Sequence, residues 1–383
     1  MDFRQIYTSF KEQKLSGRYI HSDDITPLLI SDFRKSNVSI IGHSVLQRPI
    51  YAYRFGTGNI SILMWSQMHG NESTSTKALF DLFNFLESDE AVQLLKSFSF
   101  CIVPLLNPDG AVAYTRANAN DVDLNRDFVQ FSQPESLALQ NLYKAFKPQF
   151  CYNLHDQRTI FGVGNTKLPA TISFLAPAYN ANRDINDNRS AAINVIAAMN
   201  STLQQLIPGQ VGRFDDSFNI NCAGDHFQNC GTPTILIEAG HYQNDYQREQ
   251  TRQYFFIALL AGLMHISEND VVEDRKTDYL AIPQNYASFY DIVYKNVRIS
   301  YDGNEFITNF AAQYKEELID GVLQFNAYIS EIGLLEQIFG HVEYDAAGSH
   351  FWDGTNFFPT IDQKADFQLG VDTKVVNGLV TPQ

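Results

Sequence analysis

The sequence is short of cysteine, of positive charge and of long apolar runs, and each shortage excludes something. Four cysteines (Cys101, Cys151, Cys222, Cys230) in 383 residues do not make a disulfide framework. Cys222 and Cys230 are near enough in sequence to pair in an oxidising compartment, although buried free thiols are the commoner fate. The longest apolar run, Tyr254 to Met264, is too short to span a bilayer and suits a buried helix. No apolar run follows the basic residues of the N-terminal MDFRQIYTSFKEQKL, so it lacks the form of a secretory signal. With Met1 as the native start, the expected location is the cytoplasm. Only 28 Lys and Arg stand against 43 Asp and Glu, a net charge of −15. A surface this acidic repels phosphate backbones and anionic headgroups, which excludes nucleic acid and membranes as expected partners. It leaves room for a local basic pocket that takes an acidic group.

What is present is material for a large core. Hydrophobic residues make up 44% and aromatics 13%, which is globular composition at a length that suggests two domains. Apolar runs at 59–66, 99–106, 150–154 and 234–238 read as buried strands. Segments 75–86, 134–146 and 191–206 carry helical spacing. Asn107-Pro108-Asp109-Gly110 reads as a turn closing the second strand. Alternation of this kind predicts an α/β fold, a mostly parallel mixed sheet flanked by helices on both faces. Beyond about residue 268 the pattern changes to short alternating strands, as in Asp291 to Tyr301 before the turn at Asp302-Gly303-Asn304. The expected organisation is a catalytic domain over 1–272 and a smaller β-rich C-terminal domain of unknown role over 273–383.

The chemistry begins at His69-Gly70-Asn71-Glu72, directly after the first strong strand, where α/β sheets present ligand-binding loops. A His and a Glu three apart in a tight turn can reach one metal ion, but the same spacing recurs at His265 and Glu268, where it ends an apolar helix. Spacing alone therefore does not decide, and the company of the first copy does. His155 ends a later strand and reads either as a histidine satisfied by backbone or as a third ligand. Two His and one Glu with one open position form a catalytic rather than a structural zinc set. Between these elements Arg116 and Arg126 lie in a polar loop. They are either surface residues paired to Asp121 or Asp127, or a carboxylate-binding site. Glu238 ends the apolar strand Thr234-Ile-Leu-Ile and is either a strand-end carboxylate facing a site or a costly buried charge.

Taken in order, H-x-x-E, Arg116, Asn125-Arg126, His155 and Glu238 resemble the zinc carboxypeptidase family, the carboxypeptidase A-like metallocarboxypeptidases. Supporting fragments are Gly42-His-Ser44 with Arg48-Pro-Ile50, Asn107-Pro108-Asp109-Gly110 and Ser132-Gln133-Pro134-Glu135. The matching segments spread over about residues 40 to 245 and do not reach the C-terminal region. The resemblance implies one Zn2+ per chain on His69, Glu72 and His155, with Asp123 orienting the first histidine. Arg116 is then expected to stabilise the oxyanion, and Asn125 and Arg126 to hold a substrate carboxylate. Glu238 is expected to activate water and protonate the leaving amine.

The implied activity is hydrolysis of the C-terminal amide bond of peptides through a zinc-activated water. The alternatives are a zinc amidohydrolase that deacylates N-acyl amino acids, as in the aspartoacylase and succinylglutamate desuccinylase branch, or a cell-wall peptide amidase. Either way the partner is a peptide or acyl-amino-acid substrate with a free carboxylate. Two departures stand out. No tyrosine occurs between Tyr179 and Tyr242, so the family's closing tyrosine is missing or replaced, with His241 and Tyr242 as candidates. Asn71 occupies a position where pancreatic-type enzymes carry an arginine, which leaves substrate specificity open.

Overall fold

The computed structural model describes residues 2–268 and 274–381, in two compact units. The first comprises residues up to Arg158 together with Ala170–Asn285, and the second comprises Thr159–Pro169 with Tyr286 onward. The boundary expected at 272/273 falls outside the described residues.

In the first unit the strands are β1 (Val38–His43), β2 (Pro49–Phe55), β3 (Ile60–Ser66), β4 (Phe98–Val103), β5 (Phe150–Asp156), β7 (Ile172–Leu175), β8 (Val211–Arg213) and β9 (Thr234–Ala239). They form one sheet in the order β1-β2-β4-β3-β5-β9-β7-β8. The centre, β4-β3-β5-β9, is parallel, and β2 and β7 join it antiparallel. The helices are α1 (Phe3–Phe10), α2 (Ser22–Leu29), α3 (Thr74–Leu86), α4 (Val92–Leu95), α5 (Pro108–Ala113), α6 (Pro134–Phe146), α7 (Asp187–Leu203), α8 (Ala223–Asn229), α9 (Glu249–Glu268) and α10 (Lys276–Leu280).

Side chains alternate across a strand, so each central strand feeds two cores. Met64, Ile102, Leu154 and Ile237 pack with α3, α7 and α9 in the larger cluster. Leu63, Trp65, Val103 and Cys151 pack with α6 and α8 in the smaller one. The central strands are buried on both faces and therefore read as continuous apolar runs. Period two then puts His155 and Glu238 on the α6/α8 face. Among the described residues no helix is long and apolar enough to cross a membrane.

Two local readings change. Asn107-Pro108-Asp109-Gly110 opens α5 rather than a turn, because Asn107 caps the Gly110 N–H and Pro108 sits in the first turn, where its missing N–H costs nothing. Cys222 and Cys230 are both free and flank the two ends of α8. At ~1.5 Å of rise per residue they are separated by more than a disulfide spans.

The second unit is β-rich, as its sequence predicts. β6 (Phe161–Val163) pairs with β10 (Asn285–Ala287). A second sheet runs β13-β12-β11-β14, from β11 (Phe289–Tyr301), β12 (Asn304–Ile319), β13 (Val322–Gly333) and β14 (Phe339–Asp345). A third joins β15 (Phe351–Trp352), β16 (Phe367–Leu369), β17 (Thr373–Val376) and β18 (Leu379–Val380). Asp302 and Gly303, both at positive φ, make the β11–β12 turn, the geometry a two-residue hairpin requires.

Candidate metal centre and active site

The site is built at the C-terminal ends of β3, β5 and β9. After β3 the chain turns sharply through His69 to Glu72, with the Glu72 N–H donating to the His69 carbonyl. Gly70 permits this turn: a Cβ there would lie 2.0 Å from the backbone carbon of Gly110. Asn107 ties the same crossing, donating from Nδ2 to the carbonyls of Met68 and Ala117. The H-x-x-E turn and the start of α5 thus form one packed knot.

His69, Glu72 and His155 are buried, and their donor atoms all lie within 4.8 Å of one another. Glu72 Oε1 is 2.8 Å from His69 Nδ1, and Glu72 Oε2 is 2.9 Å from His155 Nδ1. The two Nδ1 atoms are 3.2 Å apart. Asp123 Oδ1 lies 3.0 Å from His69 Nε2, an arrangement that fixes the proton on Nε2 and leaves the Nδ1 lone pair turned toward Glu72. A lone pair facing a carboxylate oxygen and a second imidazole nitrogen is repulsive unless a proton or a cation lies between them. The residues therefore fit a zinc ion, and a borderline-soft cation with N and O ligands suits this donor set.

The electrostatics agree. Burial pushes the His69 imidazole down, but the Glu72 charge and the Asp123 hydrogen bond outweigh it and raise it. Burial dominates at His155 and lowers it despite Glu72. The two histidines hold Glu72 well below the usual carboxylate range against its burial. Asp123 is likewise depressed, since His69 and Arg116 overcome its desolvation.

Glu238 is the direct lateral neighbour of His155 on the parallel pair β5–β9 and projects from the same face. Its Oε2 is buried with no hydrogen-bond partner among the described residues. Burial, with the charges of Glu72 and Asp156, raises its carboxyl well above the ordinary value, against the pull of Arg116 and Arg248.

Arg116 pairs with neither Asp121 nor Asp127. Its Nη1 donates to Glu72 Oε1 and its Nε to Asp123 Oδ2, both at 3.1 Å, so it reaches the metal cluster from an exposed loop. Asp127 instead accepts from Ser132 and from the backbone of Gln133, closing a loop. Arg126 is exposed and donates to the Asn125 carbonyl and to Cys222 Sγ. Asn125 Oδ1 accepts from the Ala223 N–H at 2.9 Å.

The supporting fragments build scaffold. Arg48 pairs with Asp109 at 2.6 Å, and Glu135 accepts from the Val45 N–H and from Asn118 Nδ2. Sequence reasoning missed Asp156 and Arg248. Asp156 donates its backbone N–H to Glu72 and accepts from the Thr74 N–H, and buried Arg248 lies 3.7 Å from its carboxylate. The adjacency of Asp156 to His155 was the one available signal, and nothing in the sequence around Arg248 pointed to it. Of the two candidates for a closing group, the His241 ring contacts Tyr246 and the Tyr242 ring contacts Tyr254.

Comparison with known proteins agrees with the geometry. The family model described as zinc carboxypeptidase matches residues 33–158, which include every residue named above from His69 to His155. Probable carboxypeptidase 2 of Arthroderma benhamiae is 28% identical over 128 residues, 32% of this chain and 24% of that protein. Carboxypeptidase D of Mus musculus is 29% identical over 143 residues, 30% of this chain and 10% of that one. The chain thus spans 24% or less of the length of these two curated relatives. Two solved structures share the fold. A metallo-carboxypeptidase from Burkholderia cenocepacia has TM-score 0.51 and 18% identity, covering 64% of this chain and 69% of that one. The carboxypeptidase A from Helicoverpa armigera has TM-score 0.54 and 17% identity, covering 70% and 80%. The His-Glu-His cluster thus lies inside the segment that matches the zinc carboxypeptidase family model, on a fold shared with two solved carboxypeptidases.

Proposed function

We propose that this protein is a zinc-dependent exopeptidase that hydrolyses the C-terminal amide bond of peptides. The observation that carries the reading is the convergence of His69, Glu72 and His155 with Glu238 alongside His155 on the next strand. A zinc ion on the three ligands supplies a Lewis acid that polarises the scissile carbonyl and lowers the pKa of water. Glu238 is positioned to take a proton from the attacking water and return it to the leaving amine, and its lack of a protein partner leaves that oxygen available. Arg116 extends from solvent to the rim of the cluster, where its guanidinium can stabilise the developing oxyanion. Asn125 and Arg126 offer a carboxamide and a planar fork for the substrate's terminal carboxylate. Asp123 holds the His69 ring by a hydrogen bond.

The test compares two substrate sets on zinc-loaded protein: peptides with a free C-terminus, and acetyl- or succinyl-amino acids. Release of C-terminal residues is the expected outcome. Hydrolysis confined to the acyl-amino acids would replace this reading with deacylation on the same site.

A further inference from the structure

Two of the four cysteines lie outside the core, and one of them touches the proposed carboxylate anchor. Cys222 Sγ accepts a hydrogen bond from Arg126 Nη1 at 3.2 Å, and the same nitrogen donates to the Asn125 carbonyl at 2.7 Å. The neighbouring Ala223 N–H holds the Asn125 carboxamide, and the Asn221 carbonyl accepts from the Phe128 N–H. The chain entering α8 therefore grips both members of the Asn125–Arg126 pair. The two arginines differ in one respect. Arg116 is neutralised twice, by Glu72 and Asp123. The contacts of Arg126 are a carbonyl and a thiol, with no carboxylate in ion-pairing range among the described residues. Burial pushes the Cys222 thiol up to about 11 against the charge of Arg126, so it remains a neutral S–H at physiological pH.

We propose that Cys222 is a positioning residue for substrate binding, a neutral acceptor that fixes the Arg126 guanidinium without cancelling its charge. The proposal rests on the reading of Arg126 as the anchor of a substrate carboxylate. An unrestrained arginine must give up rotamer freedom when it grips a ligand, and one already held by a neighbour has less to lose. A carboxylate at this position would hold the guanidinium as well, but would compete with the substrate for it.

Three variants test this. Cys222→Ser keeps an acceptor and should leave KM within about 3-fold of the parent. Cys222→Ala frees the guanidinium and should raise KM by about 10-fold with kcat little changed. Cys222→Asp cancels the charge and should raise KM by on the order of 100-fold or more. Unchanged KM in both Cys222→Ala and Cys222→Asp overturns the proposal, as does a fall in kcat and Tm with a rise in KM in all three, which marks a merely structural residue. A binding readout stands apart from turnover. Alkylation of Cys222, followed by mass spectrometry with exposed Cys230 as internal reference, should be slowed by N-acetylphenylalanine and not by its C-terminal amide. Protection without any peptide hydrolysis upholds the anchor and removes the exopeptidase reading. Hydrolysis with neither protection nor a KM effect does the reverse.

Discussion

At the scale of single residues, the chemistry turns on which groups hold metal and which move protons. Glu238 is not among the three clustered ligands, so Glu238→Gln should retain zinc while kcat falls by about 10²–10⁴-fold. Zinc content and steady-state kinetics on one preparation check this. A variant that keeps its activity contradicts the assignment, and one that loses its zinc makes Glu238 a ligand. Asp123 acts through its hydrogen bond to His69 Nε2. Asp123→Ala should weaken zinc binding by ~10–100-fold in a chelator competition, because the ring loses its fixed tautomer and orientation. Wild-type affinity in that variant would make the contact incidental.

At the scale of elements, the H-x-x-E turn is constrained by its packing on the start of α5. Gly70→Ala places a methyl 2.0 Å from the backbone of Gly110, where no side chain can yield. The variant should lose ~1–3 kcal/mol or more of stability in denaturant titration and bind zinc poorly. A fully stable variant would show that the knot yields. The same elements indicate what could be read in advance. β3, β5, α6 and β9 were legible because a strand buried on both faces is a continuous apolar run, and because α6 carries Pro134 in its first turn. The metal ligands were legible because residues presented at strand ends in an α/β sheet converge whatever their separation in sequence. β1 and β2 were not, since β1 is half-exposed, carries a bulge and shows no clean period. Arg48, Asp109 and Glu135 belong to recognisable fragments, yet their long-range partners depend on tertiary packing that local pattern does not encode. Arg248 failed for the same reason. A buried arginine beside Asp156 is invisible until α9 and β5 are placed together.

At the scale of the whole molecule, a net charge of −15 supplies carboxylate partners to buried cations such as Lys77 and Arg252. Arg252 pairs with Asp81 at 2.6 Å with both side chains fully buried, and Glu249 bridges Lys77, Lys11 and Arg252 between α9, α3 and the segment after α1. Burial pushes the Glu249 carboxyl up, but Lys77 and Lys11 bring it down to about 2. A depressed carboxylate gives stability that is present above its unfolded pKa of 4.5 and is lost as pH falls through about 2. Glu249→Gln should therefore lower stability at neutral pH, and its deficit against wild type should shrink between those values in denaturant titrations at stepped pH. A pH-independent deficit would assign the loss to packing. On one loop of this acidic chain, Arg116 reaches the ligand cluster through Glu72 and Asp123, and Arg126 lies against Cys222. The central claim, that His69, Glu72 and His155 together bind a catalytic zinc, is tested most directly by elemental analysis after zinc loading and gel filtration. The account predicts about one zinc per wild-type chain and little in His155→Ala. A wild-type chain that holds no zinc, or a His155→Ala chain that holds as much, would contradict it.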